Sequence, residues 1–119
     1  MGRYRVRVDP DALATDQHRA PRAARNVLVA LARELDSGTL EGQLRACDAE
    51  GRDGTQLAQC VKMYRPQPAG RYGVVLECRA DADGFYLAYL AFGERHPSRE
   101  SGCASVYEVA HQRLHRRSS

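Results

Sequence analysis

The chain has 119 residues, 43% hydrophobic and 28% charged, with a formal net charge of +3. That length makes one domain with a single modest core, and with no apolar run of about 18 residues a membrane-spanning helix is excluded. Met1 is followed by Gly-Arg-Tyr-Arg rather than the apolar stretch of a signal peptide, so the expected compartment is the cytoplasm.

Cys47, Cys60, Cys78 and Cys103 contain no CxxC pair, which predicts ordinary buried thiols rather than a zinc site or a disulfide framework. Charge is unevenly placed. Residues 1–33 carry seven Arg against three Asp, residues 34–94 six basic against ten acidic residues, and residues 95–119 five Arg against two Glu. Two basic ends flank an acidic middle, and would form one positive face if the ends met in space.

Taken in chain order, RYRVRV (3–8) alternates strictly and predicts a half-buried strand, with Tyr4, Val6 and Val8 inward and Arg3, Arg5 and Arg7 outward. Asp9-Pro10 supplies a helix cap and a first-turn proline ahead of a short helix. Pro21 restarts a helix whose apolar positions Ala24, Val27, Leu28, Leu31 and Leu35 keep helical spacing until Asp36-Ser37-Gly38. One more short turn is expected around Leu40 and Leu44, then a loop at 50–56. Strands follow at 57–65, with Pro66 and Pro68 just beyond, at 71–80 and at 85–92. The last two are joined by the turn DADG (81–84), and the last is apolar on both faces and so placed centrally. Residues 95–104 read as a loop. The chain closes on a helix in SVYEVAHQRLHRR (105–117).

This order predicts an α+β domain: a four-stranded, mainly antiparallel sheet with two N-terminal helices and a C-terminal helix packed on one face. In the closing helix Cys103, Val106, Ala110 and Leu114 share one stripe that packs on the sheet. Tyr107, His111 and His115 line one flank, Arg113 lies on the other, and Glu108, Gln112 and Arg116 face out. The two histidines lack a third ligand at a fitting spacing, so neither a metal nor another cofactor is expected.

The ordered set RYRVRVDPDA, RYGVVLEC, FYLAYLAFG, GER (93–95) and VYEVAHQRL (106–114) resembles the RelE/ParE superfamily of bacterial toxins. The resemblance covers most of the chain and is weak over 36–58. It implies a RelE-like toxin: a ribosome-associated endoribonuclease that cuts messenger RNA and is held inactive by a cognate antitoxin. It also implies Arg95 as phosphate clamp and Tyr107 as stacking or proton-handling group. Arginine forks match phosphate oxygens, and attack by a 2′-hydroxyl needs charge neutralised on phosphorus and a proton for the leaving oxygen. Gly73 stands where the family pattern has an arginine, with Arg71 two residues upstream on the same strand face as the candidate substitute. Glu94 stands where a second basic residue is common in the family. Lys62, Arg79, Arg99, His111, Arg113, His115 and Arg116 are the further candidates for RNA contact.

Each candidate also has an ordinary structural reading. Tyr107 at a helix start often packs, Arg95 at a strand end is often a surface residue, and Arg113 to Arg117 complement the helix dipole. Arg3, Arg5 and Arg7 either guard an edge strand or dock an acidic partner. Two other functions therefore stand beside the nuclease: a ParE-like inhibitor of DNA gyrase without covalent chemistry, and an inactive relative that binds nucleic acid or protein.

Overall fold

The alternating opening divides into two short strands, β1 (Gly2–Arg3) and β2 (Val6–Arg7). Between them the chain turns aside, and the Tyr4 amide donates to the Gly38 carbonyl at 2.7 Å. Val6 and Val8 pack on the core as expected, but Tyr4 is 42% exposed. The computed structural model describes residues 2–51, 53–66 and 70–116. The expectations for Arg52, Pro68 and Arg117 lie outside the described residues.

Helix α1 (Pro10–Arg19) starts as its sequence dictates, with the Asp9 carboxylate accepting the Asp11 amide at 2.9 Å and Pro10 in the first turn. A 3-10 turn over Arg22–Ala24 leads into α2 (Arg25–Ser37). Gly38 ends that helix in the left-handed conformation (φ 75°), where a side chain would also collide with the Tyr4 carbonyl. Leu28, Leu31 and Leu35 form its buried face.

The next segment corrects the reading. Instead of a helical turn near Leu40 and Leu44, the chain forms two more short strands, β3 (Thr39–Leu40) and β4 (Arg45–Ala46). They are followed by β5 (Cys60–Arg65), β6 (Tyr72–Asp81) and β7 (Gly84–Glu94). Gly84 takes φ 114° at the β6–β7 turn, the role expected of the last residue in DADG. After a 3-10 turn at Arg99–Ser101 comes α3 (Val106–Arg116). Ser105 caps it by accepting the Glu108 amide at 3.2 Å.

The fold is α+β, but the sheet is five-stranded and mixed rather than four-stranded. Its order is β2-β7-β6-β5-β4, with β2 parallel to β7 and the other pairs antiparallel. The extra strand is β4, whose two residues carry too little pattern to be read alone. β1 and β3 form a separate antiparallel ribbon.

The helices also occupy both faces, not one. Leu28, Leu31 and Leu35 of α2 pack with Met63, Val74, Leu76, Tyr89 and Phe92. Val106 and Ala110 of α3 pack on the opposite face with Leu57, Cys60, Val75, Leu90 and Ala91. Strand parity explains the division, because alternate residues of β5 and β6 point to opposite faces. A bulge sharpens it: Val75 pairs with Ala91 and Leu76 with Tyr89, so Leu90 and Ala91 both face α3. Cys103 was expected on the buried stripe of α3 but is exposed ahead of the helix.

Strand β2 covers β7 only at Leu87 and Ala88. Farther along, an ion pair stands in for a neighbouring strand. Arg113 Nη1 donates to the Leu90 carbonyl at 2.7 Å, and the Phe92 amide donates to Asp16 Oδ2 at 3.1 Å. Arg113 Nη2 and Asp16 Oδ1 meet at 2.8 Å, and the buried Tyr89 hydroxyl also donates to Asp16. One contact set thus ties α1, α3 and β7 together and satisfies strand-edge groups that would otherwise be unpaired. Among the described residues no helix is long and apolar enough to cross a membrane.

Candidate functional site

β7 ends in Gly93-Glu94, Arg95 follows, and α3 begins a short loop later. The start of α3 packs over Gly93, where a Cβ would lie in ordinary contact, 3.8 Å from Val106 Cβ. Gly93 is the register partner of Gly73, which is itself opposite Tyr64 on β5. On the α3 face of the sheet the Arg95 stem lies against Gly73.

Three contacts fix the Arg95 head group. Nε donates to the Tyr107 hydroxyl at 3.0 Å, Nη1 donates to the Gly70 carbonyl at 3.1 Å, and Cζ stacks 3.7 Å from the Tyr64 ring centroid. A guanidinium carries five N–H donors. With one on Nε and one on Nη1 engaged, three N–H groups remain for an oxyanion, two of them on Nη2. The Tyr107 oxygen accepts from Arg95, which leaves its own O–H free to point elsewhere.

Two more cations adjoin this pair. Lys62, two residues before Tyr64 on β5, places Nζ 5.4 Å from the Tyr107 ring centroid and 5.8 Å from that of Tyr64. Arg45 on β4 is the register partner of Lys62 and holds Cζ 5.7 Å from the Tyr64 centroid. Among the described residues, no carboxylate forms an ion pair with Arg45, Lys62 or Arg95. The arrangement is an uncompensated positive cluster on two phenol rings, suited to a phosphate and to cation–π or base stacking.

Arg95, Tyr107 and Lys62 are thus brought together, while the other candidates lie elsewhere. Arg71 is largely exposed and reaches Glu94 at 3.4 Å. Arg79 pairs with Glu77 toward the other end of β6. Arg99 is exposed on the 3-10 turn, and Arg116 is exposed near the end of α3. Arg113 serves the edge of β7 through Asp16, and that hydrogen-bonded carboxylate holds its pKa above the ordinary value. His111 Nδ1 accepts the Gln56 amide at 2.9 Å, and His115 Nε2 lies 3.0 Å from the Gln56 carbonyl. The histidine pair therefore pins a loop against α3 rather than facing the cluster.

Tyr64 and Arg45 were not singled out in the sequence. Tyr64 was within reach, since period-two spacing in CVKMYR puts it on the face of Cys60 and Lys62. Arg45 was not, because its strand has only two residues.

No family model matches the sequence, and no match to it is found among curated proteins or solved structures.

Proposed function

We propose that the chain is a RelE-like toxin, an endoribonuclease that cuts messenger RNA on the ribosome and is neutralised by a cognate antitoxin in the cytoplasm. The observation that carries this reading is the Arg95–Tyr107 hydrogen bond of 3.0 Å inside a basic cluster that forms no ion pair among the described residues. In the reaction, the ribose 2′-oxygen attacks phosphorus, the bond to the 5′-oxygen breaks, and a 2′,3′-cyclic phosphate forms. The free edge of Arg95 binds the non-bridging oxygens as their charge grows. The Tyr107 hydroxyl gives its proton to the departing 5′-oxygen, and the 2′-hydroxyl proton passes to water. Lys62 adds positive charge beside both groups.

A second reading, ParE-like inhibition of DNA gyrase without covalent chemistry, is favoured by one observation. Arg71 turns to Glu94 instead of joining Arg95, so the strand that carries an arginine in the family pattern contributes none to the site.

Expression in bacterial cells separates the two readings. The nuclease arrests growth and produces cuts in translated messages, seen by primer extension. Arg95→Ala and Tyr107→Phe relieve the arrest while leaving the thermal midpoint within a few degrees. Whole messages with accumulating DNA breaks would transfer the assignment to the gyrase reading.

A further inference from the structure

Strand β4 brings a cation to the site that neither the motif GER nor the closing helix contains. Its residue Arg45 is exposed, stands opposite Lys62 in register, and leans over the same ring that carries Arg95. Like charges gathered this closely repel one another, and the repulsion is normally relieved by neighbouring carboxylates. Here the nearest acidic side chain along β7, Glu94, is already held by Arg71. Elsewhere on the sheet, Arg5 and Arg7 share Asp81, and Arg65 pairs with Glu34. Among the described residues, Arg45, Lys62 and Arg95 therefore form a group of basic side chains without a carboxylate partner.

The three cations are not equivalent. The Arg95 guanidinium is stacked on Tyr64 at 3.7 Å and oriented by Tyr107, whereas Arg45 and Lys62 stand at 5.7 and 5.8 Å from the same centroid. One guanidinium is thus fixed on the ring, while a pair of cations stands farther from its centroid.

We propose that Arg45 and Lys62 form a second phosphate seat, adjacent to the one at Arg95 and Tyr107, which takes the neighbouring phosphodiester of the same single strand. This rests on the nucleic-acid reading above and deepens it: the chain grips two consecutive backbone phosphates beside the Tyr64 ring. The seat supplies affinity and register, the role that contacts to the phosphate backbone play.

The test is calorimetric titration with a 2′-O-methyl oligonucleotide of several phosphates, which binds but cannot be cut by 2′-attack, across a range of salt concentrations. Arg45→Ala and Lys62→Ala should each weaken binding by about fivefold and each reduce the log–log salt slope by about 0.7. Arg45→Lys, which keeps the charge, should restore most of both. Arg45 is exposed on a two-residue strand, so an unchanged thermal melt is expected for its variants. If Arg45→Ala keeps the wild-type affinity and slope, or if wild type fails to bind the oligonucleotide at low salt, the second seat does not exist. Oligonucleotide binding that depends on Arg45 while cellular messages stay whole would instead uphold the seat and remove the nuclease.

Discussion

The stem of Arg95 occupies the place of a side chain on Gly73: a Cβ at that glycine would lie 3.2 Å from Arg95 Cγ and 3.5 Å from Cδ. The glycine at 73 and the seated Arg95 are therefore two aspects of one packing solution. Gly73→Arg should drive Arg95 off Tyr107 rather than add a second clamp. Message cleavage should fall by about 100-fold, in keeping with the sensitivity of such sites to small displacements. Stability should also fall, by about 1–3 kcal/mol, because Gly73 is buried and a side chain there overpacks the face against Arg95. A Gly73→Arg protein with raised cleavage would contradict this packing argument.

Asp16 and Arg113 carry the edge of β7, so their removal should show in folding rather than in the site. Asp16→Ala leaves a mostly buried guanidinium without its partner and should cost about 3–5 kcal/mol in urea denaturation. The double change Asp16→Leu with Arg113→Met should cost less than Asp16→Ala alone, since it also removes the stranded charge. Equal losses for the single and double variants would show that the pair matters only through packing.

His111 and His115 hold Gln56 from both sides of its backbone. The Nδ1 of His111 must be unprotonated to accept the amide. Hydrogen exchange at the Gln56 amide should accelerate in His111→Ala, with a loss of about 0.5–1.5 kcal/mol typical of one hydrogen bond. His115→Ala should free the carbonyl and produce a smaller acceleration. Unaltered exchange in both variants would mean that the loop is held by Thr55 and Leu57 alone.

Burial pushes the Cys47 thiol up to about 11 and the Cys60 thiol up to about 12, from an ordinary 9.0. The folded state keeps these protons after the unfolded chain has lost them. Their contribution to stability is therefore complete below about pH 9 and declines as pH rises toward 11 and 12. Urea midpoints should drop through that range for the wild type and drop less for Cys60→Ala. In the native protein at mildly alkaline pH, iodoacetamide should label the exposed Cys103 before the half-buried Cys47 or the buried Cys60. Prior loss of the Cys60 thiol would contradict the burial.

Local patterns settled the elements whose cause is local. Asp9-Pro10 starts α1, Gly38 ends α2, Gly84 closes the hairpin, and the spacing of Val106, Ala110 and Leu114 orients α3, all through backbone geometry and periodicity legible in a few neighbouring residues. The GER and VYEVAHQRL motifs likewise marked Arg95 and Tyr107, which the fold brings into hydrogen bond. Charge was misleading for the opposite reason. The basic ends are partly neutralised, by Asp81 at Arg5 and Arg7 and by Asp16 at Arg113. The uncompensated cluster instead takes Arg45 and Lys62 from the acidic middle. Only tertiary structure could decide that, because net charge along a segment adds residues by sequence, whereas an electrostatic site adds them by distance. The same holds for β2, β4 and the division of helices between two faces. Strands of two residues are defined by the partner they pair with, and the partner is chosen by the whole sheet.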